Sequence, residues 1–84
     1  MVRSRLKWLS RNRLNDLLTR ELQTVLGCVG ASIHVGPSRD AAPSKSNWWN
    51  FGCSIPKGAN RYLVLAVAGG VVSEAREQYN VLDS

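Results

Sequence analysis

A single histidine, His34, and two cysteines, Cys28 and Cys53, are the residues of this chain best suited to chemistry. One histidine excludes a paired-histidine metal site, and two cysteines this far apart lack the spacing of a zinc ligand set. Neither H-E-x-x-H, C-x-x-C, G-x-S-x-G, a P-loop nor G-x-G-x-x-G occurs. The acids Asp16, Glu21, Asp40, Glu74, Glu77 and Asp83 are scattered, with no two spaced for general acid and base roles. A nucleophile pair of His34 with Cys28 or Cys53 lacks a third group to orient it. These residues therefore point to a chain that is not an enzyme and uses no metal and no cofactor.

Charge is the stronger signal. Arg3, Arg5, Lys7, Arg11 and Arg13 fall within residues 1–13 without an acid, so the formal net charge of +5 lies wholly there. The six bases and six acids of the remaining chain cancel. A localised positive pole favours an anionic partner more than a diffuse basic balance does. With Trp8 among them, these cations could track phosphates while the ring stacks on a base. The competing reading has Leu6 and Trp8 pinning the segment to the core while the cations face water.

At 84 residues the chain is one domain, whose small core leaves stability modest. Its apolar share of 44% is that of a globular protein. The basic start has no apolar stretch behind it, unlike a secretory signal. The longest apolar run, Tyr62 to Val72, is about half a bilayer span. The expectation is a cytoplasmic protein with no membrane segment. Two free thiols suit that compartment, with a Cys28–Cys53 bridge as the alternative.

The elements that must position these groups follow from periodicity. Leu14, Leu17, Leu18, Leu22, Val25 and Leu26 repeat with helical spacing, Asn12 offers an N-cap and Gly27 a C-terminal stop. The spacing predicts a helix over 12–26, preceded by a basic arm over 1–11. From Val29 the period becomes two, with Val29, Ala31, Ile33 and Val35 on one side, so a strand is expected over 29–36. Pro37 to Ser46 is a loop by composition. Alternation returns with Trp49, Phe51, Cys53 and Ile55, giving a second strand over 47–55 and an antiparallel hairpin. Asn60 can cap a helix over 60–79 whose inner face is Val64, Ala68, Val71, Val72, Ala75 and Tyr79. A third strand over 61–67 with a shorter helix after it competes with that reading. The expected fold class is α+β, an α-β-β-α domain with two helices packed on one face of the hairpin.

This order, with Asn47-Trp48 opening the second strand and the last helix ending near Tyr79, resembles short uncharacterised αββα proteins of proteobacteria and their phages. The resemblance implies a bacterial or phage origin and the same fold, and it assigns no functional residue. A helix–sheet–helix layout also invites comparison with double-stranded-RNA-binding domains. Those carry three strands and a lysine-bearing motif at the last helix, which Lys57 and Arg61 match poorly.

Two surfaces are expected to act. In a register with Ile33 opposite Trp49 and His34 opposite Trp48, the outer hairpin face carries Ser32, His34, Trp48, Asn50 and Ser54. An exposed tryptophan among hydrogen-bonding groups suits a base, a peptide or another subunit. The competing reading tucks Trp48 against the loop or the Trp8 arm, and the doubled Trp48-Trp49 leaves open which of the two is buried. Leu63, Leu65 and Val67, on an all-round apolar turn beside open sheet edges, are expected to support a homo-oligomer such as a dimer. The function expected is a non-catalytic module docking on a protein or nucleoprotein target, as mobile-element inhibitors and adaptors do. The alternative is direct nucleic-acid binding through the basic arm and the Trp48 face.

Overall fold

Ser10 decides where the first helix begins. In the computed structural model, which describes residues 6–37, 46–48 and 50–82, its side chain accepts from the Arg13 backbone N–H at 3.3 Å. Helix α1 accordingly spans Arg11–Leu22, its cap two residues ahead of the expected Asn12. Leu14, Leu18 and Leu22 are buried, with Leu17 and Val25 packed against them. The helix stops short of the expected 26. Thr24 turns its hydroxyl onto the Glu21 carbonyl at 2.7 Å, and Leu26–Cys28 forms a separate 3₁₀ turn. Leu26 thus leaves the apolar stripe it continues in sequence.

The residues just before α1 are not an arm. Lys7–Ser10 forms strand β1, and Tyr79–Leu82 forms strand β4, paired with it in parallel from Lys7 opposite Tyr79 to Ser10 opposite Leu82. Helix α2 spans Arg61–Arg76, so Tyr79 belongs to this strand rather than to the end of the helix. Asn60 caps α2 as expected, its Oδ1 accepting from the N–H groups of Tyr62 and Leu63 at 3.1 and 3.2 Å. That cap and the helix behind it remove the alternative of a strand over 61–67. Val64, Ala68, Val72 and Ala75 are buried along the inner face of α2.

Strands β2, Ser32–Val35, and β3, Phe51–Ser54, form the antiparallel hairpin, both shorter than the expected 29–36 and 47–55. Ile33 lies opposite Cys53, His34 opposite Gly52 and Val35 opposite Phe51. The register differs by four residues from the one expected. Because the offset is even, the faces are unchanged, with Ile33 and Val35 buried and His34 exposed. The result is a small α+β domain whose described residues run in the order β-α-β-β-α-β and form two separate two-stranded sheets. The expected α-β-β-α order is its centre; the parallel pair formed by its two ends is the addition.

One edge of each sheet is met by side chains. The Gly36 N–H donates to the Asn50 carbonyl at 2.7 Å, so the even-numbered residues of β2 turn their backbone groups toward β3. Those of Ile33 and Val35 point away, and α1 meets them. Val35 N–H donates to Asn15 Oδ1 at 2.7 Å and Ile33 N–H to Thr19 Oγ1 at 3.0 Å. Arg11 Nη1 donates to the carbonyls of Val35, at 2.8 Å, and Gly36, while Gln23 Nε2 donates to that of Ala31 at 2.8 Å. Four helical residues rise about 6 Å and two strand residues about 6.6 Å, so the row Arg11, Asn15, Thr19, Gln23 keeps step with the strand edge. On β4, Asn47 behaves like a strand residue. Its side chain donates to Val81 O and accepts from Val81 N–H, both at 2.7 Å, and its own N–H donates to Asn80 Oδ1 at 3.0 Å.

Candidate functional site

Trp48 follows Asn47 into the interior. It is fully buried, and its Nε1 donates to the Tyr79 carbonyl at 3.0 Å. This overturns the expected exposed tryptophan face. The hairpin pairing begins only at Phe51, so strand alternation does not govern residue 48, and Asn47 directs the chain toward β4 instead. Trp49 lies outside the described residues.

What remains of the outer hairpin face is polar. His34 Nε2 stands 3.1 Å from Ser32 Oγ and 3.2 Å from Ser54 Oγ, with Gly52 across from it and Asn50 exposed. Asn50 uses its Oδ1 on the Phe51 N–H at 3.0 Å. Among the described residues no group of histidine, cysteine and carboxylate side chains can hold a metal ion. Among the described residues no carboxylate is hydrogen-bonded to the His34 ring. This arrangement offers hydrogen bonds to a visitor, without an orienting acid to make either hydroxyl a strong nucleophile. The cysteines are free thiols, Cys28 buried and Cys53 half-buried. Burial pushes the Cys53 thiol above its ordinary value, and Cys28 acts in the same direction.

The basic residues divide. Arg3 and Arg5 lie outside the described residues. Lys7 and Arg13 are exposed, and Trp8, on β1, is 48% exposed. Arg11 is half-buried rather than displayed as the expected phosphate contact. Its guanidinium is committed to the Val35 and Gly36 carbonyls, joining the start of α1 to the end of β2.

The third surface is apolar, and the sequence marked only part of it. Leu26 is 92% exposed, Tyr62 85% and Val29 64%, with Leu63 and Leu65 also outside the core. Val67, expected beside them, packs against the core instead. Close contacts tie the surface together. A Cβ placed on Gly27 would fall 2.3 Å from Leu63 Cδ2, so Leu63 lies over the 3₁₀ turn between Leu26 and Cys28. Gly30, at φ +88° where a side chain is strained, sits against Pro56, whose Cγ would be 3.4 Å from an added Cβ. That contact brings the segment after the 3₁₀ turn against the one that leads, through the Asn60 cap, to Tyr62 and Leu63. The missed signal was the early helix stop at Leu22, since Leu26 read as core at i+12.

Two open clefts lie elsewhere. One of about 410 Å³ is lined by Leu9, Arg13, Asp16, Leu17, Arg20 and Glu21. The other, about 260 Å³, brings Glu21 and Glu74 near Tyr79 over Leu17 and Val71. Among the described residues no helix is long and apolar enough to cross a membrane. No known protein family, curated relative or solved structure matches the chain.

Proposed function

We propose that this chain is a non-catalytic binding module that docks on a protein or nucleoprotein target through the surface of Leu26, Val29, Tyr62 and Leu63. The observation that carries the reading is the near-complete exposure of Leu26 and Tyr62, on two segments that meet where Leu63 lies against Gly27. Contiguous apolar surface is uncommon on proteins that act alone, because it is worth about 25 cal/mol per Å² when covered. Tyrosine is a frequent anchor of such interfaces, offering a large rigid ring and a polar tip. An inhibitor or adaptor of the kind found in bacteria and phages would work in this way. Both cysteines being free thiols supports a reducing, cytoplasmic setting.

The test is affinity capture from a native extract, treated with nuclease or not, using the intact chain and a Leu26→Ser/Tyr62→Ser double variant. Both substitutions lie on exposed residues, so a thermal melt should show the variant folded. Loss of a nuclease-resistant partner in the variant supports the reading. Identical capture by both chains rejects it.

One observation favours a second reading, direct nucleic-acid binding. The first turn of α1 carries the exposed Arg13 and no acid, although its N-terminus is the positive end of the helix dipole. A cation there repels the dipole, and a phosphate would relieve that repulsion. Lys7, Trp8 and Arg13 would make the contacts on this reading, and steep salt dependence of binding would mark it.

A further inference from the structure

We propose that the Leu26–Tyr62 surface takes an acidic amphipathic segment of a partner protein, whose apolar side chains cover Leu26, Val29, Tyr62 and Leu63 while its carboxylates meet Lys57 and Arg61. The inference rests on the docking reading above and names the chemistry of the partner. Lys57 and Arg61 are exposed and adjoin the apolar residues along the chain, Lys57 next to the Pro56 that packs on Gly30 and Arg61 next to Tyr62. The N-terminus of α2 lies in the same place and adds to the positive field. The carboxylates among the described residues are elsewhere. Asp16, Glu21 and Glu74 line the two clefts, which share no residue with this surface, and Glu77 caps the far end of α2. Among the described residues, the two segments that build the surface, 25–30 and 56–65, carry Lys57 and Arg61 and no acid.

That charge separates the possible occupants. A second copy docking by the same surface about a twofold axis would bring Lys57 and Arg61 toward their own counterparts, and like charges across an interface disfavour association. An acidic segment gains from the same charges. Its carboxylates would pair with Lys57 and Arg61, and its apolar side would cover Leu26 and Tyr62, as amphipathic segments do in hydrophobic grooves.

The experiment titrates the isotopically labelled full chain with two peptides of roughly 18 residues, long enough to form a helix on binding. One is built from leucine and glutamate on an amphipathic pattern, and the other has each glutamate replaced by lysine. The acidic peptide should shift the resonances of Leu26, Val29, Tyr62 and Leu63 and bind about tenfold tighter than its counterpart, an advantage that shrinks with salt. A Lys57→Glu/Arg61→Glu chain should lose that preference. A Lys57→Gln/Arg61→Gln chain serves the same purpose if the first does not fold. Equal binding of both peptides at this surface overturns the acidic preference and leaves the docking reading standing. No shift at the surface with either peptide overturns both. Shifts there that grow with protein concentration alone make a second copy the occupant and also overturn the proposal.

Discussion

The indole N–H of Trp48 donates to the main-chain carbonyl of Tyr79 across 3.0 Å, which ties the segment before β3 to the first residue of β4. Trp48 is the largest fully buried side chain among the described residues. Trp48→Ala should cost about 3–5 kcal/mol, enough to unfold most of a domain this small. Trp48→Phe keeps most of the volume and should cost less, losing the hydrogen bond and part of the packing. Thermal melts of the two variants check this. A tolerated alanine would mean that Trp48 is not in the core.

The row of α1 side chains along β2 is the second target. Thr19→Ala leaves the Ile33 N–H without its acceptor, and Asn15→Ala does the same to the Val35 N–H. Each should lower stability by about 1–3 kcal/mol, the cost of an unsatisfied, partly buried donor. Amide exchange should accelerate selectively at Ile33 for the first variant and at Val35 for the second. Unchanged exchange at both would show that α1 does not seal this edge.

Gly69 and Gly70 carry an expectation of the opposite sign. Both lie within α2, and a Cβ at either position meets nothing within 4 Å. Changing either to alanine should therefore raise stability by about 1 kcal/mol through helix propensity alone. Gly36→Ala should destabilise, because its Cβ would fall 3.0 Å from the Asn50 carbonyl oxygen. Melting temperatures of the three variants, compared with the parent, read the signs directly.

Cys53 gives stability a pH dependence. Its thiol is pushed above the ordinary range by burial, with Cys28 adding in the same direction. The unfolded chain releases this proton at the ordinary thiol pKa, while the folded chain keeps it. The contribution is therefore complete below about pH 8 and is lost as pH rises through the raised value. Cys53→Ala should flatten that alkaline slope in denaturation measured from neutral to alkaline pH. A slope unchanged by the substitution would assign it to other groups.

Much of the interior was legible because it depends on local spacing. Leu14, Leu18 and Leu22 on one helix and Val64, Ala68, Val72 and Ala75 on the other follow the 3.6-residue period, and Ile33, His34 and Val35 alternate as a half-buried strand must. Pairing was not legible. Lys7 finds Tyr79 from the other end of the chain, and no local pattern specifies such a partner. Tyr79 also continues the helical spacing of α2, so the strand it begins was hidden within that period. Trp48 was misplaced because the alternation after it can be extended backwards without limit. The buried Asn47 that ends the alternation looks in sequence like any loop asparagine. The exposed apolar surface had the same difficulty, since Leu26 continues a stripe that the chain abandons at Leu22.

The docking surface is the centre of this account, and a hydrogen–deuterium exchange footprint of the captured partner complex tests it most directly. Slowed exchange on binding is expected around Leu26 to Val29 and Arg61 to Leu65, with Lys7 to Arg13 and the His34 face unchanged. Protection confined to Lys7 to Arg13, or to Ser32, His34 and Ser54, with the Leu26 and Tyr62 regions exchanging as in the free chain, would contradict it.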